Sequence, residues 1–414
     1  MSATTWTKAA LGEYFRIKHG FAFKGEFFAA SGPYVLLTPG NFRRDGGLEA
    51  RGEREKYYVG EFPNDFLLKE GELLIVLTDL TQNAPILGSP AIIPASGKYL
   101  HNQRLGKVVG LDESKLKKKF LYQLLNTANV REQIKATATG STVRHTAPDR
   151  IYSVRVAVPD LPSQQRIADI LSAYDDLIEN NTRRIQVLKA MSRTVFNGGS
   201  QSSSEPWNLV PIRELYEELF DGPHATPKPS TSGPIYLGIK NVTEQGELDL
   251  TDIRHIAEDD FPQWTRRVVP QSGDIVFTYE ATLNRYGIIG GDFRGCLGRR
   301  MALIRPDNAR IDSFLLLQCL LSNQWRDEVR SKTISGATVD RIPLTTFPSF
   351  QISIPGPEAR RRIAPTIRAC EELAENCRKR NDVLRKTRDL LLPKLVSGEV
   401  SVETLEEEAI AETV

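Results

Sequence analysis

The sequence predicts an α+β fold. It consists of two tandem mixed α/β domains, each followed by a long helix, and the two helices pair as a coiled coil. Three observations predict it: an internal repeat, short strand-like segments at the front of each repeat, and apolar residues spaced by three and four at its end. The chain has 414 residues, of which 40% are hydrophobic and 26% are charged. This length holds two or three domains, and the hydrophobic fraction excludes a disordered chain.

The repeat is clearest at the end of each half. When the sequence is shifted by 196 residues, GSTV at 140–143 falls on GATV at 336–339. The same shift places RIA at 166–168 on RIA at 362–364. The fronts of the halves align more loosely. An ordered series of matches of this kind indicates duplication of a unit of about 200 residues.

The repeat divides the chain into segments. Strand-like runs broken by Gly, Pro, Asn and Asp fill the front of each half, and one helix, at 115–135 or at 311–332, precedes the GSTV or GATV loop. The stretch GGSQSSSE predicts a flexible linker. The predicted segments are a first mixed domain at 1–160, a long helix at 161–197, the linker at 198–205, a second mixed domain at 206–356, a second long helix at 357–397 and an acidic tail at 398–414.

The long helices carry a heptad pattern, which favours pairing between them. Each pattern continues for about 30 residues, or roughly 45 Å of helix, which is longer than one small domain covers. The alternative is that each helix packs only on its own domain. Pro365 is expected to kink the second helix or to delay its start. The predicted seam residues, including two cysteines expected to be small buried apolar groups, are Ile167, Ile170, Tyr174, Leu177 and Leu188, then Ile363, Cys370, Leu373, Cys377 and Leu384.

Composition limits the class of protein. The net charge is +2, but residues 399–414 hold six Glu and no Lys or Arg, so the rest of the chain is moderately basic. Apolar runs are too short for a membrane span, and MSATTWTKAAL at the N-terminus lacks the features of a signal peptide. Four cysteines without a CxxC motif argue against a disulfide scaffold or a zinc ribbon. We expect a soluble, cytoplasmic protein.

The sequence motifs of several enzyme classes are missing. There is no GxxxxGK[ST] phosphate loop, GxGxxG fingerprint, HExxH zinc motif or Asn/Asp-Pro-Pro-Tyr/Phe tetrapeptide of amino-methyltransferases. The Glu-x-Lys at 113–115 begins a Lys-rich segment, which favours a solvated helix over a nuclease site. We therefore predict no catalytic residue, no cofactor-binding residue and no metal ligand on this chain.

Loops at equivalent places in the two halves carry side chains that can read DNA. Arg pairs with guanine, Asn and Gln with adenine, and Asp or Glu with cytosine, while Lys and Arg hold phosphates. The frameworks repeat while the loop tips differ, as in LTDLTQNAPILG and FTYEATLNRYGIIG. Two modules that read different sequences would diverge in this way, and so would loops without a function. The candidate DNA-binding residues are Lys24, Thr78, Asp79, Gln82, Asn83, Gln103, Arg104, Ser141, Thr142, Arg144, His145, His224, Lys228, Thr278, Tyr279, Glu280, Asn284, Arg285, Arg299, Arg300, Thr338 and Arg341.

The sequence resembles the specificity subunit of type I restriction–modification systems over nearly the whole chain. Single motifs are weak, but their order and their duplication are specific. The second half departs from the first at GRR (298–300) and at IPGPEARRRIAPTI. The motifs that carry the resemblance are GFAFKGEFF (20–28), DGPHATP (221–227), GELLIVLT, GDIVFT, NQRL (102–105), GSTV, GATV, VPDLPSQQRIADIL and LLLPKLVSGEV.

The resemblance implies a non-catalytic subunit that binds double-stranded DNA through two target recognition domains. It implies a bipartite, asymmetric target. It also implies that the long helices pair as an antiparallel coiled coil about an internal pseudo-two-fold axis, space the domains and dock methyltransferase subunits. The resemblance also allows restriction subunits with translocase and nuclease activity as partners. It implies no membrane partner. S-adenosylmethionine, ATP and Mg would be held by these partner subunits and not by this chain.

Three alternatives stay open. The chain could be a specificity-like DNA-recognition subunit, or a protein scaffold, of another defence assembly. An unrecognised nuclease or methyltransferase site would predict metal-dependent or cofactor-dependent turnover by the isolated chain.

Overall fold

The structure is a computed structural model that describes residues 6–201, 207–336 and 339–403. Contacts divide the chain into two compact units, of which the first contains Met1–Glu179 with Asp382–Val414 and the second contains Asn180–Asn381. Each unit therefore holds parts of both long helices. Thr338, part of the predicted linker and most of the predicted acidic tail lie outside the described residues. In the described part of the chain, none of the helices has an apolar stretch that could span a bilayer.

The first unit begins as short strands separated by turns. Its strands are β1 (Thr7–Ala10), β2 (Arg16–His19), β3 (Phe28–Ala29), β4 (Tyr34–Leu37), β5 (Tyr57–Tyr58), β6 (Leu73–Val76), β7 (Thr78–Asp79), β8 (Pro90–Ile92), β9 (Tyr99–His101), β10 (Leu105–Val109), β11 (Arg144–His145) and β12 (Arg155–Val158). Its helices are α1 (Lys118–Asn126), α2 (Ala128–Ala136), α3 (Pro148–Tyr152) and the start of α4 (Leu161–Gln201).

The central sheet of the first unit is antiparallel, with the order β2-β10-β6-β8. A second sheet has the order β3-β5-β4-β9, in which β4 and β9 are parallel, and β1 pairs with β12. Strand β6 is buried on both faces. Leu73 and Ile75 belong to the cluster that includes α1, and Leu74 and Val76 belong to a second cluster on the opposite face. This is the two-residue alternation of a strand packed on both sides.

The second unit repeats the main elements of the first in the same order, with fewer short strands. Its strands are β13 (Asn208–Pro211), β14 (Tyr216–Asp221), β15 (Ser230–Leu237), β16 (Arg254–His255), β17 (Ile275–Thr278), β18 (Arg285–Ile288), β19 (Gly295–Leu297), β20 (Met301–Pro306) and β21 (Gln351–Ile354). Its helices are α5 (Phe261–Trp264), α6 (Ser313–Leu320), α7 (Asn323–Lys332) and most of α8 (Pro357–Ser397).

The sheets of the second unit correspond to those of the first. The central sheet has the antiparallel order β14-β20-β17-β18, the second sheet has the order β16-β15-β19 with β15 and β19 parallel, and β13 pairs with β21. Ile275 and Phe277 of β17 face one cluster and Val276 faces another, as in β6. The duplication inferred from the sequence is therefore also a duplication of strand order.

The prediction of a single helix before each GSTV or GATV loop is wrong, because two short helices lie there in each unit. In the first unit Thr127 separates α1 from α2, and its hydroxyl accepts a hydrogen bond from the Val130 amide. In the second unit Ser322 separates α6 from α7 and caps α7 through the Trp325 amide. A Thr or Ser at such a position starts a new helix, since it satisfies an amide that has no partner within the helix.

The first long helix ends four residues later than predicted, whereas the second has the bounds 357–397 that the sequence predicted. Helix α4 continues to Gln201, so the Gly198-Gly199 pair assigned to the linker is helical. Helix α8 begins at Pro357, eight residues before Pro365, so the expected delay of its start is wrong. Pro365 is exposed, and the carbonyl that loses its amide partner four residues earlier can be hydrated instead.

The two long helices contact each other within each unit. In the first unit Ile167 and Leu171 of α4 share a cluster with Leu392 and Leu395 of α8. In the second unit the Asn181 side-chain amide donates to Oδ1 of Asn381 at 3.0 Å. The Lys189 ammonium donates to Glu371, and Phe196 packs in the cluster of Ile363. Residue numbers rise along one helix as they fall along the other, so the contacting segments run in opposite directions.

Burial corrects the predicted register of the seam. Leu177 and Leu373 are 51% and 50% exposed, so the prediction is wrong at both positions, whereas Cys370 and Cys377 are buried and free as predicted. Among the other predicted seam residues Ile167 and Ile363 are buried, while Ile170, Tyr174, Leu188 and Leu384 are partly buried. The observed seam steps by four and then three: Ile167, Leu171, Tyr174, Ile178, Asn181, Ile185, Leu188 and Ser192 in α4, and Ile363, Ile367, Cys370, Ala374, Cys377, Asn381, Leu384 and Arg388 in α8.

Candidate nucleic-acid interface

Four loops of the first unit lie at one end of its central sheet. They follow β2, follow β6, precede β10 and include the GSTV segment before β11. Backbone hydrogen bonds join them, since the Leu77 amide donates to the Arg104 carbonyl and the Gln103 amide donates to the Phe21 carbonyl. The Thr146 amide donates to the Leu77 carbonyl. The sequence-predicted loops of this half are therefore brought together.

The equivalent loops of the second unit converge in the same way. They follow β14, follow β17, precede β20 and include residues 339–342. The Gly222 amide donates to the Met301 carbonyl, the Tyr279 amide to the Arg300 carbonyl, and the Ile342 amide to the Tyr279 carbonyl. Each unit thus presents a composite loop surface, which we call its loop face.

Exposure separates the candidate residues on the two loop faces into groups. Those with exposed side chains are Lys24, Gln82, Asn83, Gln103, Arg104, Ser141, Thr142 and His145 in the first unit, with His224, Lys228, Arg299 and Arg341 in the second. Those that are partly buried are Arg144, Glu280, Asn284, Arg285 and Arg300. The exposed group includes cations and amides, which are the groups that contact phosphates and base edges.

The candidates Thr78, Asp79, Thr278 and Tyr279 are buried, which corrects their prediction as DNA contacts. The Thr78 hydroxyl bonds to Nδ1 of His145 at 2.9 Å. The Asp79 carboxylate accepts from the backbone amides of Thr81 and Ile86, each at 2.9 Å. Thr78 and Asp79 therefore hold their loops in shape from inside, where sequence reasoning placed them at the surface.

The partly buried candidates also act within the protein. Arg285 donates to the Glu244 carboxylate at 2.9 Å, and Arg300 lies 3.3 Å from the Glu280 carboxylate. The loop backbone is strained, because the described non-glycine residues with positive φ all lie in these loops. They are Ala84 (φ 44°), Ala281 (φ 68°), Asn284 (φ 64°) and Arg300 (φ 71°).

A cluster of polar groups surrounds Asp221 at the end of β14. The Tyr279 hydroxyl donates to Asp221 Oδ1 at 2.9 Å, and His224 Nε2 lies 2.8 Å from Oδ2. Arg267 donates to the backbone carbonyl of Asp221 at 3.1 Å. Burial, together with the hydrogen bond to Asp221, raises the pKa of Tyr279, so the phenol stays protonated and remains the donor.

Sequence reasoning missed four residues next to this cluster. Gln263, Trp264, Arg266 and Arg267 line a cavity beside the His224 loop. A signal was present, because an adjacent pair of arginines follows a tryptophan in PQWTRR, and aromatic and guanidinium groups together are typical of nucleic-acid contacts. Residues 6–201, 207–336 and 339–403 contain no group of three or more His, Cys, Asp or Glu that could hold a metal ion.

Known proteins are similar to this chain at two levels: a family model matches the first half, and individual relatives match most of the chain. Residues 3–190 match the family of the type I restriction modification DNA specificity domain. The chain is 23% identical over 368 residues to the type I restriction enzyme MjaVIII specificity subunit of Methanocaldococcus jannaschii, which covers 82% of each chain. It is also 23% identical over 441 residues to the EcoBI specificity subunit of Escherichia coli, which covers 96% of this chain and 87% of the relative.

Residues 3–190 belong to the family of the type I restriction modification DNA specificity domain, and the chain as a whole is similar to type I specificity subunits. The family predicted from the sequence motifs is therefore confirmed. The crystal structure of the type I restriction–modification S subunit from M. genitalium is similar to the structure of this chain, with a TM-score of 0.59 at 16% identity. That similarity covers 96% of this chain and 97% of the other, and it shows a shared fold.

Proposed function

We propose that this specificity subunit binds double-stranded DNA and reads a bipartite, asymmetric target, one half with each loop face. The observation that carries the proposal is that equivalent loops converge at the same end of the same sheet in both units while their exposed side chains differ. Gln103 and Arg104 precede β10, whereas Arg299 and Arg300 precede β20. Different base-reading groups on one framework favour two different half-sites over a palindrome.

We further propose that α4 and α8 pair as an antiparallel coiled coil about a pseudo-two-fold axis and act as the spacer between the half-sites. Support comes from the four-three spacing of their buried residues and from the contacts of Asn181 with Asn381 and of Lys189 with Glu371. A polar pair within an apolar seam fixes register at a cost in stability. Asn181 with Asn381 is the candidate for this role.

The long helices are also the proposed docking surface for modification subunits, and for restriction subunits where these occur. Apolar side chains that point away from the seam support this, since exposed apolar groups on a helix are typical of interaction surfaces. They are Leu177, Val187, Met191, Leu373, Val383 and Leu390, each between 48% and 67% exposed. We assign no catalysis to this chain and place S-adenosylmethionine, ATP and Mg on the partner subunits, in the cytoplasm.

The test is co-expression of the chain with its modification subunit in a host without DNA methylation, followed by genome-wide mapping of methylated adenine. We expect a split, asymmetric motif with a fixed gap. Replacing residues 1–160 by the corresponding segment of another specificity subunit should change one half-site and leave the other unchanged.

Three results would contradict the proposal. A palindromic motif would show that the two loop faces do not read different sequences. A stable purified complex that neither methylates nor binds DNA in a salt-dependent way would favour a protein scaffold of another defence assembly. Turnover by the isolated chain would favour an unrecognised enzyme.

A further inference from the structure

A cavity in the second unit lies beside the loop that follows β14. Its volume is about 400 Å³, which is in the range of sites that bind a small molecule or one planar group. Its walls include Asp221, His224, Ala225, Trp264, Arg267 and Leu297.

The first unit has a loop in the same position, which makes the two units comparable. A Cβ atom on Gly20 would meet the carbonyl oxygens of His101 and Asn102, and one on Gly222 would meet those of Gly298 and Met301. Both glycines therefore sit in the same turn against the loop that precedes β10 or β20. Counting from them, GFAF at 20–23 corresponds to GPHA at 222–225.

Aromatic rings occupy this place in the first unit. The ring centroid of Phe23 lies 4.8 Å from that of Tyr58, and the centroid of Phe21 lies 5.2 Å from that of Phe66. The second unit has Pro223 for Phe21 and Ala225 for Phe23. Two small residues replace two phenylalanines, and a cavity remains where the first unit has a packed cluster.

The cavity is held in shape by hydrogen bonds on one side. Both oxygens of the Asp221 carboxylate are engaged, by the Tyr279 hydroxyl and by His224. Arg267 donates to the backbone carbonyls of Asp221 and Gly222 at 3.1 and 3.0 Å. A site whose walls are fixed before binding loses less entropy when a ligand enters.

The chemistry of the walls indicates the class of ligand. Trp264 and Leu297 provide apolar surface, and a tryptophan ring is a platform on which a flat aromatic group stacks. Arg266 and Arg267 are exposed beside it, and guanidinium groups bind phosphate. A nucleotide combines a flat base with an adjacent phosphate, and single-stranded nucleic acid is bound by this pairing of aromatic and cationic groups.

We propose that this cavity receives one nucleobase turned out of the DNA helix in the second half-site, with its ring against Trp264 and its phosphate beside Arg266 and Arg267. The proposal rests on the DNA-reading function above and adds a recognition step to the second unit. In the first unit, Phe21 and Phe23 fill the corresponding place. The two half-sites would then be read by different physical means.

The test uses the complex of the subunit with its modification partner and duplexes that carry the mapped target motif. Turning a base out costs a few kcal/mol of pairing and stacking, so a mismatch at that position lowers the cost and strengthens binding by roughly tenfold. We expect one position of the second half-site to show this gain, apart from the adenine that is methylated. Ala225→Phe places the ring of the first unit in the cavity and should abolish the gain at that position only.

Two further variants make the result specific. Ala309→Phe adds the same ring at an exposed position beyond the other end of β20 and should keep the wild-type mismatch profile. Trp264→Leu removes the flat stacking surface while keeping an apolar wall and should behave like Ala225→Phe. Far-UV circular dichroism and co-purification establish that each variant folds and assembles.

The outcomes separate this inference from the proposed function. Target binding with a mismatch profile unchanged in both Ala225→Phe and Trp264→Leu overturns the inference and leaves the proposed function standing. Weaker assembly with the modification subunit, at an unchanged mismatch profile, overturns it in favour of a protein side chain as the occupant. Failure of the wild-type complex to bind the duplex overturns both.

Discussion

Nη1 of Arg388 donates a 2.6 Å hydrogen bond to Oδ1 of Asp175, and Nη2 of the same side chain bonds to Asp45 at 2.8 Å. Arg388 belongs to α8, Asp175 to α4 and Asp45 to a loop of the first mixed domain. Gln123 of α1 also donates to Asp175, at 3.2 Å. One buried arginine therefore joins both long helices to the mixed domain of the first unit.

The second unit contains a corresponding linkage built from different residues. Glu371 of α8, which is 196 residues after Asp175, accepts hydrogen bonds from Lys189 of α4 and from Gln318 of α6. Lys189 also lies 3.7 Å from Glu247 of a domain loop. Because a buried ion pair needs defined geometry to offset the cost of desolvation, we infer that each linkage fixes the orientation of a mixed domain on its helices.

Replacing Arg388 with methionine should destabilise the first unit by about 3 kcal/mol, because it leaves Asp175 and Asp45 without their buried cation. Burial opposes the charge of Arg388, but the hydrogen bonds to Asp45 and Asp175 raise its pKa overall. The guanidinium group of Arg388 is therefore charged at neutral pH. Hydrogen exchange should accelerate in α1 and β6 and stay unchanged in β17. Arg385→Met, on the same helix and partly exposed, is the control, and equal exchange in both variants would contradict the linkage.

The observed seam register predicts that two adjacent residues of α4 behave differently. Ile178 is 3% exposed and Leu177 is 51% exposed. Ile178→Ala should lower the free energy of unfolding of the first unit by about 2 to 4 kcal/mol, as for other buried isoleucines, and Leu177→Ala by less than about 0.5 kcal/mol. Urea unfolding of the two variants side by side measures this. If Leu177→Ala lowered the free energy of unfolding more than Ile178→Ala, the register predicted from the sequence would be the correct one.

The sequence predicted the seam only in part, for a physical reason. A heptad pattern is read from apolar residues, and at the ambiguous steps both choices are apolar, as in Ile170 with Leu171 and Leu177 with Ile178. Only the partner helix decides which of the two is buried. The duplication, the central strands and the long helices were predictable because a repeat and a period leave traces in the sequence itself.

The candidate interface was predictable as a set of loops but not residue by residue. Loop position follows from strand ends, so the loop faces could be inferred. Whether a polar side chain points outward depends on where each strand ends. Asp79 and Thr278 are buried because they are the last residues of β7 and β17, not loop residues. The cavity beside Trp264 was missed because its defining feature is the small size of Pro223 and Ala225.

The stability of the first unit should fall in mild acid because of His101. Burial lowers the pKa of His101 to about 4, while an unfolded histidine titrates near 6.5. The unfolded state therefore binds the proton first as pH falls. Stability is fully present above about pH 6.5 and is lost progressively toward pH 4, by about 2 kcal/mol at pH 5.

The measurement is the change in unfolding midpoint between pH 7 and pH 5. His101 Nε2 donates to the Leu105 carbonyl at 2.9 Å, and His101→Gln supplies a donor that does not titrate, so this variant should lose most of the pH dependence. His19→Gln, at an exposed position of β2, should keep it. A pH dependence that survives in His101→Gln would assign it to another group.

Arg104 should contribute to one half-site only. It is exposed on the loop face of the first unit, and a side chain of this kind contributes about 1 to 3 kcal/mol when it reads a base. Arg104→Ala should weaken target binding about 5-fold to 150-fold and relax the preference at one position, measured by methylation of a randomised target library. Lys69→Ala, an exposed cation before β6 at the other end of the sheet, should leave the preference unchanged. A uniform loss over all sequences would reassign Arg104 to phosphate contact.

If the paired helices set the gap between half-sites, shortening both by the same amount should shorten the gap. Deleting residues 176–182 of α4 together with 380–386 of α8 removes one heptad from each helix. It takes out Asn181 and Asn381 as a pair and leaves Asp175 with Arg388, and Lys189 with Glu371, in place. Seven residues of helix correspond to about 10 Å, or about three base pairs of DNA. We expect methylation mapping to return both half-sites unchanged with a gap about three base pairs shorter, because each domain keeps its own linkage to the helices.

Deleting 176–182 alone puts the seam out of register and should abolish methylation. A double deletion that methylates at the original gap would contradict the spacer role of α4 and α8.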